Sequence, residues 1–109
     1  MRLQTAFIFL LLATPAFGQT VRATWYGPEL AGHRTASGER FNPNGLTAAH
    51  RSLRFGTCLR VSNPGTGRSV VVRVNDRGPY ANGASLDLSY GAARAIGMHS
   101  TQSVTVDRC

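Results

Sequence analysis

The residue types in this sequence that could do acid–base chemistry are five carboxylates, Glu39, Asp76 and Asp87 among them, and three histidines, His50 among them. A carboxyl whose surroundings raise its pKa keeps a proton to donate, while a second one left ionised stabilises positive charge. Cleavage of an acetal needs both services, a proton for the leaving oxygen and a negative group near an oxocarbenium-like centre. Each residue also has a plainer reading. Asp87 or Ser89 would serve as N-cap of a following helix. Asp76, directly before Arg77-Gly78-Pro79, suits a turn whose side chain binds nearby backbone. Glu39 lies in a polar stretch where a lone glutamate is solvated, and His50 fits a packed, hydrogen-bonded histidine.

The neighbours of the two aspartates bear on their charge. Arg77 follows Asp76, and a cation held close favours the ionised form. Asp87 sits between Leu86 and Leu88, but strand alternation sends those leucines to the other face, so the sequence by itself sets no dry environment for it. His33, His50 and His99 with only two cysteines lack metal-ligand spacing, so no metal and no cofactor are expected. Nucleophile-elbow, phosphate-loop and dinucleotide motifs are missing, and covalent nucleophilic catalysis is not indicated.

Trp25 and Tyr26 take opposite faces of one strand, so one of them is available to stack on a ligand while the other fills the core. Arg73 and Arg77 have the forked geometry that suits carboxylate binding; surface solubility explains them equally well.

Short strands and turns must position these groups. Val21–Tyr26 alternates in the period of a half-buried strand and ends at Gly27-Pro28. Residues 29–44 have neither helical nor strand periodicity and read as a long functional loop. Leu46–Ala49 and Thr57–Ser62 are further strands. Asn63-Pro64-Gly65-Thr66-Gly67 turns the chain into Ser69–Asn75, whose Val70-Val71-Val72 run suggests burial on both faces. Ser85–Leu88 is extended, Ser89–Ile96 is a short helix with Ala92, Ala93 and Ile96 on one side, Gly97 stops it, and Ser103–Val106 is a last strand. About six strands and one helix favour a small closed barrel, since closure removes exposed edges.

The amino terminus reads as a secretory leader over Met1–Gly18. Arg2 precedes the apolar run Ala6–Ala13, which is too short to span a bilayer, and Ala16 and Gly18 supply small residues at the cleavage site; cleavage after Ala16 is the alternative. Residues 19–109 then make one domain. In an oxidising compartment Cys58 and Cys109 read as a disulfide, the alternatives being two thiols or a bond to another chain. Losing Arg2 lowers the formal charge from +7 to +6, carried entirely by arginine against five carboxylates. An exported basic chain without a recognition helix or aromatic RNA motif points away from nucleic acid and toward acidic envelope polymers or anionic head groups; a merely solvated arginine surface is the bland alternative.

Thr24-Trp25-Tyr26-Gly27, Thr35-Ala36-Ser37-Gly38-Glu39-Arg40-Phe41, Leu46-Thr47-Ala48-Ala49-His50-Arg51, Phe55-Gly56-Thr57, Val72-Arg73-Val74-Asn75-Asp76-Arg77-Gly78-Pro79 and Leu86-Asp87-Leu88-Ser89 resemble, in order and spacing, the rare lipoprotein A (RlpA) family. The resemblance implies a mainly β fold, a six-stranded double-psi β-barrel with one short helix, over residues 19–109. It also implies endolytic lytic transglycosylase activity, a lyase reaction on peptidoglycan glycan strands lacking stem peptides, which leaves 1,6-anhydro ends. Related barrels in expansins bind glycan without cutting, which is the alternative function.

By the same resemblance the catalytic positions are Asp87, Asp76, Glu39 and His50, with Asp87 favoured as general acid/base over Asp76, its electrostatic partner. Trp25, Tyr26, Arg73 and Arg77 are the candidate substrate-binding residues. The segment Cys58-Leu59-Arg60-Val61 and Cys109 look like the corresponding barwin pair, in favour of the disulfide. Many family members carry a lipid-modified cysteine after the leader. Gln19 stands there here, so an exported, soluble, periplasmic or secreted monomer without a membrane anchor is expected.

Overall fold

The computed structural model describes residues 18–109, so the expected leader, Gly18 apart, lies outside the described residues. Six strands form: β1 (Gln19–Tyr26), β2 (Thr47–Ala49), β3 (Cys58–Asn63), β4 (Arg68–Asp76), β5 (Leu86–Ser89) and β6 (Gln102–Arg108), with one helix, α1 (Tyr90–Ala95), between the last two. All six expected strands are present; β1 and β4 are two residues longer than alternation marks them, β6 three longer and β2 one shorter, while β3 and β5 shift by one residue. The long loop contains a 3-10 turn at Pro28–Leu30 and an isolated bridge between Arg34 and Arg40.

The strands close into a barrel in the order β1-β5-β2-β4-β3-β6. β1 and β5 run parallel, as do β2 and β4, and the other four neighbours are antiparallel. This is consistent with the double-psi barrel. β3 and β4 make the expected hairpin, in register from Cys58 opposite Arg73 to Asn63 opposite Arg68.

Alternation fills the interior. Ala23, Leu59, Val61, Val70, Val72, Val74, Leu86, Leu88 and Val104 are buried together, and Ala92, Ala93 and Ile96 of α1 join them. The expectation that Val70-Val71-Val72 is buried on both faces is corrected: Val71 is 41% exposed between Val70 at 8% and Val72 at 1%. At Val71 the outer face of β4 is open, with no described residue covering it.

Ser89 starts α1 by accepting the Ala92 N–H on Oγ at 3.1 Å. Gly97, with φ +72°, ends it in a conformation that favours glycine. The same Ser89 hydroxyl donates to Gly45 O at 2.6 Å, and Gly91 N donates to Pro43 O at 2.7 Å. These bonds seat the end of the long loop on the start of the helix. Cys58 and Cys109 are disulfide-bonded across β3 and the end of β6.

Candidate active site

Strand register brings the acidic residues together. Thr24 on β1 pairs with Asp87 on β5, Asp87 pairs with Ala49 on β2, and Ala49 pairs with Asp76 on β4. Residues paired this way share a face. The leucines beside Asp87 are fully interior, so this row lies on the barrel's outer face. The two aspartate Cα atoms are two strand spacings apart, roughly 10 Å.

A bulge makes this register possible. β2 and β4 pair Ala48 with Val74 and then Ala49 with Asp76, which leaves Asn75 as the extra residue. Without it, alternation would turn Asp76 inward; with it, Arg73, Asn75 and Asp76 all serve the outer side.

Asp87 accepts a 2.8 Å hydrogen bond on Oδ1 from Thr24 Oγ1. Its pKa is pushed up to about 6, first by burial, with the Thr24 bond pulling it down and the Asp76 charge adding to the rise. The dry environment that the local sequence does not set is supplied by the fold. Asp76 accepts on Oδ1 from Ala36 N and Arg77 N, both at 2.9 Å, so it also plays the turn-forming role. The Arg77 guanidinium turns away: it donates to the carbonyls of His50 (3.1 Å) and Leu53 (2.8 Å) and lies 4.0 Å over the Phe55 ring. The adjacent cation that the sequence suggested for Asp76 is thus engaged elsewhere.

Glu39 reaches the same region from the loop. Arg73 holds it through two parallel bonds of 2.8 and 2.9 Å, and Asn75 Nδ2 donates to it at 2.9 Å. Arg73, then Asn75, hold its pKa down at about 2. Ser37 N donates to Asn75 O, and together with the Ala36 contact this clips the loop tip onto the end of β4.

The aromatic pair separates as expected, with Tyr26 at the carboxylates. Its ring lies 4.6 Å from that of Phe41, and its hydroxyl is raised above the ordinary pKa by burial first, then by the charges of Asp76 and Asp87. Trp25 packs 5.4 Å from Tyr90 and donates Nε1–H to His99 O at 3.2 Å, against the core and α1.

His50 directly follows Ala49 and its backbone N–H donates to Asp76 O at 3.2 Å, but its ring has other partners. Its Nδ1 accepts from Ser52 N and Leu53 N, both at 3.1 Å, which leaves the proton of the neutral ring on Nε2. Burial lowers its pKa first, then Arg51, Arg77 and Arg108. It lines a cleft of about 610 Å³ with the apolar Val21, Leu53, Leu59 and Leu86. Thr24, Thr47 and Asn75 belong to the site and were not singled out from sequence. Thr24 was within reach, because it shares a strand face with Tyr26. Among the described residues no cluster of His, Cys, Asp and Glu is arranged to hold a metal, and no helix is long and apolar enough to cross a membrane.

The model of the lytic transglycolase family matches residues 18–107. Over 79 residues the chain is 65% identical to the probable endolytic peptidoglycan transglycosylase RlpA of Synechocystis sp., covering 72% of this chain and 25% of that one. Over 93 residues it is 47% identical to the endolytic peptidoglycan transglycosylase RlpA of Campylobacter jejuni, covering 84% and 34%. The chain thus spans between a quarter and about a third of the length of these two relatives. Among solved structures it is similar to an expansin of Clavibacter michiganensis, with TM-score 0.65, 24% identity and 84% of this chain against 50% of that one. It is also similar to the Streptomyces papain inhibitor, with TM-score 0.62, 19% identity and 87% against 98%. At these identities the structural likeness bears on the fold alone.

Proposed function

The chain belongs to the RlpA-like lytic transglycolase family of double-psi β-barrels, and we propose that it is an endolytic peptidoglycan transglycosylase with Asp87 as its acid/base. The observation that carries this reading is the half-buried Asp87 carboxyl, raised to about 6 and set in one row with Asp76. A carboxyl with that pKa retains protons near neutral pH and is a competent general acid.

In the proposed reaction Asp87 gives its proton to the glycosidic oxygen as the C1–O bond breaks. Asp76 faces the positive charge that develops at the sugar ring. The substrate's own C6 hydroxyl then attacks C1 and returns a proton to Asp87, leaving a 1,6-anhydro end. Glu39, ionised in its arginine clasp, is no proton donor; it holds the loop tip on the end of β4. His50, neutral and bound to backbone, supports the turn after β2. This substrate lies outside the cytoplasm, in accord with an exported chain and with the Cys58–Cys109 disulfide.

Incubation with intact sacculi and with glycan strands stripped of stem peptides, followed by mass analysis of the products, tests the reading. New 1,6-anhydro ends that vanish in Asp87→Asn are expected. Binding without products would replace the enzyme with a glycan-binding module.

A further inference from the structure

At the end of the barrel where β1 and β5 stop, Trp25, Tyr90, Ala93, Arg94, Met98 and His99 line a cavity of about 470 Å³. Ala93 and Met98 are buried, while Arg94 and His99 are exposed, so the cavity is open to a ligand without rearrangement. Trp25 and Tyr90 are half-buried, with ring centroids 5.4 Å apart and planes inclined by 48°. The bond from Trp25 Nε1–H to His99 O fixes the indole. The Arg94 guanidinium stands 5.4 Å from the Tyr90 ring centroid, which holds the cation beside the aromatic pair. Among the described residues the one ion pair is that of Arg73 with Glu39, so Arg94 has no carboxylate partner.

We propose that this cavity is a subsite for a muramic acid residue of the glycan, its ring stacked on Trp25 and Tyr90 and its free lactyl carboxylate held by Arg94. The assignment rests on the glycan reading above and adds the sugar that the cavity selects. Chemistry sets the class. The C–H face of a β-linked pyranose is apolar and buries against aromatic rings, and a few polar groups at the edge then fix its orientation. A guanidinium without a counter-ion suits a carboxylate, which it meets through two parallel bonds. In peptidoglycan strands only the muramic residue carries a carboxylate, and that group is free only where no stem peptide is amide-linked to it. Arg94 therefore tells stripped strands from substituted ones.

The other candidate cations are occupied. Arg73 is bound by Glu39, and Arg77 donates to the carbonyls of His50 and Leu53. Position also fits. Trp25 follows Thr24, which holds Asp87, and Tyr90 comes three residues after Asp87, at most roughly 11 Å of chain. A strand cut at Asp87 reaches the cavity with a flanking sugar, around the ends of β1 and β5.

Trp25 is the only tryptophan in the chain, so its fluorescence reports on this cavity. The test uses the exported, disulfide-bonded chain carrying Asp87→Asn, so that cleavage plays no part. It is titrated with glycan strands stripped of stem peptides, with uncross-linked strands that retain them and with neutral N-acetylglucosamine hexasaccharide, by calorimetry and by Trp25 emission. Stripped strands are expected to bind tightest, to shift the emission and to shield Trp25 from acrylamide. Arg94→Gln is expected to weaken their binding roughly threefold to tenfold, as for one lost charged contact at an exposed site, and to leave the hexasaccharide unchanged. Arg94→Lys should restore part of the loss. Binding by calorimetry with Trp25 emission and shielding unchanged overturns the subsite alone. So does equal affinity of Arg94→Gln for stripped strands, an equal loss with the hexasaccharide, or tighter binding of strands that retain stem peptides. Failure to bind any of the three overturns the glycan reading, and the subsite with it.

Discussion

Asp87 and Asp76 are paired in register with opposite sides of the same residue, Ala49, which sets the two aspartates on neighbouring positions of one row. The charge of Asp76 raises Asp87, the bond from Thr24 lowers it, and burial outweighs both. Each influence is removable by one substitution.

Two variants should therefore move the pH profile in opposite directions. With Asp87 as the acid, wild-type kcat/KM falls as pH rises past about 6. Asp76→Asn takes away a like charge and should shift that limb to lower pH. Thr24→Val removes a hydrogen bond that favours the ionised form and should shift it to higher pH. A limb that stays put in both variants contradicts the assignment of Asp87.

Stability should carry the same signature. Because the folded pKa of Asp87 is raised, the folded state keeps a proton that the unfolded chain has released between about pH 4 and 6, so this group's contribution falls as pH rises through that window. Asp87→Asn removes the penalty. It should melt higher than wild type at pH 7.5 and show a smaller difference at pH 4, measured by calorimetry.

Glu39 follows the opposite sign. Its depressed pKa means that its contribution is present above the ordinary carboxylate range and is lost as pH falls toward about 2. The pair with Arg73 is exposed, so Glu39→Gln should cost about 1 kcal/mol or less in urea unfolding. Activity should fall by about tenfold through misplacement of the loop tip, with the limb near pH 6 unmoved.

The disulfide joins cysteines 51 residues apart, and the chain-entropy account gives it about 4 kcal/mol. Replacing both cysteines with serine should lower unfolding stability by about that amount. Reduction of the native protein should add two hydrogens, about two daltons, to its mass.

The fold was largely legible in the sequence because its longer strands mostly alternate, as in Val70, Val72 and Val74, and its turns carry glycine and proline. The carboxylates were legible as types and as parts of a family pattern. What sequence could not display was the pairing across the barrel. Thr24 and Asp87 are 63 residues apart, and only closure of β1 on β5 makes them neighbours. The bulge at Asn75 breaks alternation at the position where alternation would have been used to aim Asp76. Arg77 was misjudged for a related reason: adjacency in sequence sent its backbone, not its guanidinium, to Asp76.

The central claim is that the folded barrel raises the Asp87 carboxyl to about 6, so that it keeps its proton well above the ordinary carboxylate range. Titration of its side-chain carboxyl carbon by NMR in the wild-type protein tests this directly. A midpoint near 6, falling in Asp76→Asn, is the predicted result. A midpoint near 4, the ordinary value for an exposed aspartate, would contradict it.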